Sequence, residues 1–168
     1  MDTIIVYKYI SEDSMKKLVS LFLLVLTLGL VGCSPKSEVK DIPVSDIKSS
    51  INNETLLTIQ PISDVDAKDF YVFENVKDNI KEGFALQAMI NVKLQDVFVV
   101  KTGDVEKVKQ TIEEYKTNNL KRFADGYGGD DNATSVADSI LESVGDYVYF
   151  IAAPNAKDIE AKILEMIK

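Results

Sequence analysis

Val97-Phe98-Val99-Val100-Lys101-Thr102-Gly103-Asp104-Val105 decides how this chain is read. Four β-branched or aromatic residues in succession predict a strand. Gly103-Asp104 ends it, and Asp104 is suited to cap a helix. Val105, Val108, Ile112 and Tyr115 then fall on one helical face, and the pattern can be followed to Phe123. The local unit is therefore strand, tight turn, helix.

A second unit of this kind lies downstream. VYFIAAPNAKDIEAKI (Val148–Ile163) aligns without gaps on VFVVKTGDVEKVKQTI (Val97–Ile112). Val97 matches Val148, Phe98 matches Tyr149, Val108 matches Ile159 and Ile112 matches Ile163. Asp104 and Asn155 stand at the same place as caps. Upstream, Met89 and Ile90 in the strand-like Phe84–Val92 correspond to Ile140 and Leu141. The expected fold class is α+β: a four-stranded, mostly antiparallel sheet with helices packed on one face. A ββα-ββα pseudo-repeat and two unrelated strand–turn–helix units explain the alignment equally well.

Other segments are less periodic. Val44, Ile47 and Ile51 recur at helical spacing, with Pro43 in the first turn. Leu56–Ile62 is ambiguous and is interrupted by Pro61. Asp66–Tyr71 predicts a short helical turn capped by Asp66, and Glu74–Glu82 is helical or irregular. Asp125–Asn132 (DGYGGDDN) has the composition of a loop.

The N-terminal quarter has a different character. Lys16 and Lys17 precede an apolar run from Leu18 to Leu28, followed by Leu30-Val31-Gly32-Cys33. The run falls short of the roughly 20 residues that span a bilayer core. A basic start, a short apolar middle and small residues at the end form a secretory signal. Leu-Val-Gly-Cys resembles the lipobox of bacterial lipoproteins. The resemblance implies signal-peptidase recognition through Leu30, Val31 and Gly32, cleavage before Cys33, and a diacylglycerol on the Cys33 thiol. Met15 is the expected start, because Glu12 and Asp13 are out of place in a basic leader. The expected organisation is an extension at 1–14, a signal peptide at 15–32, a lipidated tether at 33–41 and one domain at 42–168.

Composition excludes much chemistry. The chain has no histidine and one cysteine, and 19 Lys and Arg against 27 Asp and Glu give a formal charge of −8. Lipidation of Cys33 would leave no thiol for a disulfide. Ser-His and Cys-His nucleophile pairs and histidine zinc sites are ruled out by residue type. An acidic domain does not suit nucleic acid, which needs a basic face. The same charge disfavours lying flat on anionic lipid. The acyl chains must supply membrane affinity, about 0.8 kcal/mol per buried methylene.

From Ile42 to Lys168 the order of elements resembles small Gram-positive lipoproteins carrying the domain of unknown function 4358. The resemblance rests on Met89-Ile90-Asn91-Val92, the strand DVFVVKTGD at Asp96–Asp104, a long charged helix, Gly126-Tyr127, and Gly145-Asp146-Tyr147-Val148 before the last strand and helix. It implies an exported protein on the outer face of a monoderm cytoplasmic membrane. It supplies no activity and no site residues.

Candidate sites are few. Asp125, Tyr127, Asp130 and Asp131 form a possible interaction loop. Calcium prefers several oxygen ligands on a flexible turn, but the spacing is not that of an EF-hand and a solvated loop fits better. Tyr147 and Tyr149 share a strand face; they either meet a partner on an open sheet face or pack in the core. Glu113 and Glu114 point apart on their helix. No catalytic residue, metal ligand or cofactor is expected beyond the lipid on Cys33. The expected role is a non-catalytic binding or interaction module at the cell envelope, meeting an unknown envelope protein or ligand. The alternatives are a carboxylate-based envelope hydrolase and an accessory subunit of a membrane complex.

Overall fold

The computed structural model describes residues 39–127 and 129–168. The expected extension, signal peptide, Leu30, Val31, Gly32, Cys33 and most of the tether lie outside the described residues. In chain order the elements are α1 (Val44–Ile51), β1 (Ile62–Asp66), β2 (Ile80–Ala88), β3 (Asp96–Thr102), α2 (Val105–Tyr115), α3 (Lys121–Gly126), α4 (Gly129–Ala137), β4 (Ile140–Val144), β5 (Tyr147–Ala152) and α5 (Ala156–Ile167). Short 3₁₀ turns at Ala67–Asp69, Tyr71–Phe73 and Lys77–Asn79 link β1 to β2. No helix among the described residues is long and apolar enough to cross a membrane.

The class is α+β, as expected, but among the described residues the sheet has five strands, in the order β1-β2-β3-β5-β4. Every neighbouring pair is antiparallel. The additional strand, β1, is short and edge-placed, with Asp64 and Asp66 exposed. Asp66 also caps the following turn, its carboxylate accepting from Lys68 N at 2.8 Å. Strand β2 spans Ile80–Ala88 rather than Phe84–Val92; Met89–Val92 form the exposed turn into β3.

Helices cover both faces of the sheet, correcting the expectation of one. On one face Ala85, Phe98, Val100, Val148 and Phe150 pack under Val108, Ile112 and Tyr115 of α2. On the other, Phe84, Leu86, Val97, Val99, Tyr147, Tyr149 and Ile151 pack under Val44, Ile47 and Ile51 of α1 and Ile159, Ile163 and Ile167 of α5. Cross-strand partners keep these sides apart: Phe98 opposes Phe150, and Val97 opposes Ile151. Tyr147 and Tyr149 are therefore core residues, buried beneath helices. Burial of this apolar surface on both sides is the main stabilising term.

Both ββα units occur in the expected order, yet their helices take opposite faces. Val97 and Val148 align in sequence but belong to different sides of the sheet, as do Phe98 and Tyr149. Met89 and Ile90 lie in a turn, whereas Ile140 and Leu141 lie in β4. The spacing is shared; the side of the sheet is not.

Local chemistry explains the helix ends. Asp104 caps α2 by accepting from Lys107 N at 3.2 Å. The amide of Val44, at the start of α1, is capped from β2, by Glu82 Oε2 at 3.0 Å. Beyond Tyr115 the helix widens into a π turn, Lys116–Leu120, and continues as α3. Buried Tyr115 and Leu120 are five residues apart, so the wider turn keeps Leu120 in the core where α-helical spacing would insert Asn119. Most of the expected loop 125–132 is helical: Asp125 lies in the last turn of α3, and Asp130 and Asp131 occupy the first turn of α4, where the helix dipole favours anions.

Candidate functional site

At one end of the sheet four segments enclose a cleft of about 960 Å³. They are Thr58–Gln60, the β2–β3 turn, one side of α4, and Ala153–Asp158 at the start of α5. Each is held by a buried or partly buried amide. Gln95 is buried, and its side chain accepts from Ile59 N at 3.2 Å and donates to Ile59 O at 3.1 Å. Asn132, also buried, latches α4 to the β2–β3 turn. Its Oδ1 accepts from Leu94 N at 3.0 Å, and its Nδ2 donates to Val92 O at 3.1 Å and Tyr127 O at 2.9 Å. Asn155, read as a cap, instead donates to Leu56 O at 2.8 Å and makes no side-chain cap.

The lining is mixed. Ile90, Leu94, Ala153 and Pro154 give apolar surface; Thr58, Thr134 and Ser135 give hydroxyls. Oδ1 of Asn155 is buried with no hydrogen-bond partner among the described residues. Lys93 and Lys157 face Asp131, Asp138 and Asp158 around the same space. Lys93 Nζ lies 3.4 Å from Asp131 Oδ2, so that carboxylate is already paired. Size and lining suit a small polar molecule with one apolar part.

The sequence-derived candidates separate. Asp131 lines the cleft, and Tyr127 reaches its wall through a backbone bond to Asn132. The Tyr127 ring is exposed and packs 5.7 Å from Phe123. Asp125 and Asp130 are exposed and do not line the cleft. Among the described residues, no group of three or more acidic side chains is arranged to hold a metal ion.

The most perturbed carboxylate is elsewhere. Asp96, at the start of β3, is 3% exposed. Its Oδ2 accepts from the Tyr115 hydroxyl at 2.6 Å and its Oδ1 from Gln87 Nε2 at 3.0 Å. Burial pushes its carboxyl up to about 6, the two hydrogen bonds opposing the rise. Burial, then the Asp96 charge, pushes the Tyr115 hydroxyl far above the usual phenol range. The cluster ties β2, β3 and α2 together and is not part of the cleft lining. Sequence reasoning missed it, although a charged residue heading the fully apolar Val97–Val100 run must find partners.

The far end of the sheet holds the segment Lys40–Ile42 that leads into α1. Lys40 N donates to Ile167 O at 3.0 Å, and the Tyr147 hydroxyl accepts from Ile42 N at 2.8 Å and donates to Ile42 O at 2.7 Å. Asp41 pairs with Lys101, which also stands over the Tyr147 ring at 5.1 Å. The hydrogen bond and charge of Lys101 hold the Asp41 carboxyl below its usual range. The twelve residues of α5 separate this end from the cleft, about 18 Å.

Residues 49–153, more than half of the chain, match the family model described as Domain of unknown function (DUF4358). The match takes in all five strands and three cleft walls, and stops where α5 begins. No curated protein and no solved structure matches the chain.

Proposed function

The chain belongs to the DUF4358 family, and from that premise we propose a non-catalytic, lipid-anchored binding module on the outer face of a Gram-positive-type cytoplasmic membrane. The signal-like run and Leu30-Val31-Gly32-Cys33 support export and lipidation at Cys33. The cleft between the Asn132 latch and the start of α5 carries the binding reading. Its size is that of a small-molecule site, and it opens at the end of the domain away from Lys40.

Binding is favoured over hydrolysis because the strongly shifted carboxylate, Asp96, is sealed under α2 and outside the cleft. Asp131, Asp138 and Asp158, the carboxylates that line the cleft, are all exposed, and Asp131 is paired with Lys93 at 3.4 Å. A carboxylate hydrolase needs one acid and one base across a bond. An accessory role in a membrane complex is compatible with the same anchored domain.

The test combines two variants in the native host. Cys33→Ala should release the protein from the membrane fraction. Thr134→Trp, on the exposed side of α4 and facing the cleft, should leave anchoring intact and abolish ligand retention. Unchanged membrane attachment of Cys33→Ala would contradict the anchor. Unchanged ligand retention by Thr134→Trp would contradict the cleft.

A further inference from the structure

The two edges of the sheet are not equivalent. Edge strand β1 carries exposed Asp64 and Asp66, and Asp64 is paired with Lys48 of α1 at 3.0 Å. Two carboxylates on a five-residue strand, one of them tied to Lys48, blunt this edge against pairing more than a single charge would. Edge strand β4 reads Ile140-Leu141-Glu142-Ser143-Val144, with four residues half-buried and only Glu142 exposed. It pairs with β5 alone, so its outer backbone N–H and C=O groups have no strand partner among the described residues. A groove of about 970 Å³ lies against Ser139–Glu142 at the start of β4, with Glu106, Lys107, Lys109, Glu113 and Lys116 on its far side, acids and lysines together.

Such an edge is a template for one more strand. A second copy of this chain is a poor occupant. Antiparallel pairing of β4 with itself, centred on Glu142, would set Glu142 against Glu142, and like charges directly opposite are destabilising. Each copy also carries a net charge of −8. Glu142 makes no salt bridge among the described residues and stands in the middle of the strand. It selects for a cation.

We propose that β4 receives an extended segment of a partner protein as a sixth strand, with a lysine or arginine of that segment opposite Glu142 and small or β-branched residues beside Ile140 and Leu141. The contact uses main-chain hydrogen bonds for affinity and Glu142 for choice of partner. It is independent of the cleft.

The test uses the full chain in detergent and the acetylated, amidated heptapeptide Thr-Val-Thr-Lys-Thr-Val-Thr. The same peptide with glutamate for lysine is the control. The lysine peptide should slow amide exchange about tenfold within Ile140–Val144 and leave Ile62–Asp66 unchanged. It should bind roughly two- to fivefold tighter than the glutamate peptide, and Glu142→Lys should reverse that preference. Thr134→Trp should leave these results unaltered, which separates this proposal from the cleft. Protection at Ile62–Asp66, or at neither edge with millimolar peptide, would overturn it. So would concentration-dependent protection of β4 without peptide, which would make a second copy the occupant.

Discussion

The Tyr115 hydroxyl donates a 2.6 Å hydrogen bond to Oδ2 of Asp96, joining the end of α2 to the first residue of β3 inside the core. Gln87 Nε2 donates to the other carboxylate oxygen at 3.0 Å, so the buried charge is held from two sides.

That arrangement sets a pH dependence. Asp96 titrates near 6 in the fold and near 3.8 when unfolded, so the folded state holds the extra proton between those values. Its contribution to stability is therefore greatest below about 4, falls as pH rises toward 6, and is level above. The span corresponds to about 3 kcal/mol. Urea unfolding from pH 4 to 7 should show the wild type gaining on Asp96→Asn by that order as pH falls. A constant difference between the two would contradict this.

Asn132→Ala should cost about 2–4 kcal/mol, because it leaves the buried Leu94 amide without its acceptor and frees Val92 O and Tyr127 O. Faster exchange at Leu94 N–H would locate the loss at the cleft wall.

Gly83 marks a close approach of the Ala67–Asp69 turn to β2. A Cβ there would lie 2.7 Å from Ala67 Cβ and 2.9 Å from Val99 O. Gly83→Ala should therefore destabilise by about 1–3 kcal/mol. Gly103→Ala, where a Cβ meets nothing within 4 Å, should shift the urea midpoint far less.

Tyr147→Phe removes both hydroxyl bonds to Ile42 while keeping the buried ring. The expected loss is about 1–2 kcal/mol. Limited proteolysis should show earlier cutting near Lys40, with the rest of the domain intact.

The elements legible in sequence were those with strong periodicity and a chemical stop. Val97–Val100 and Tyr147–Ala152 are strands; α1 buries Val44, Ile47 and Ile51, α2 buries Val108, Ile112 and Tyr115 with Val105 half-buried, α5 buries Ile159 and Ile163, and Asp104 caps as read. Strand β1 was illegible because Ser63, Asp64 and Asp66 mask its pattern and its edge position tolerates them. Helix α4 was hidden by Gly129, Asp130 and Asp131, poor helix formers held there by the dipole and by the Asn132 latch. Coverage of both faces was present in principle: an antiparallel strand open on one side alternates, and Tyr147–Ala152 does not. The cleft could not be read, because its walls come from segments distant along the chain that are joined by the side chains of Gln95, Asn132 and Asn155.

The central claim is that the cleft binds a small molecule without transforming it. Its most direct test is an NMR titration of the full chain with a low-molecular-weight fraction of the cell envelope, with the bound compound recovered afterwards. The account predicts saturable shifts at Leu94, Asn132 and Asn155, their loss in Thr134→Trp, and a ligand recovered unchanged. A cleaved ligand, or shifts that bypass these three residues, would contradict it.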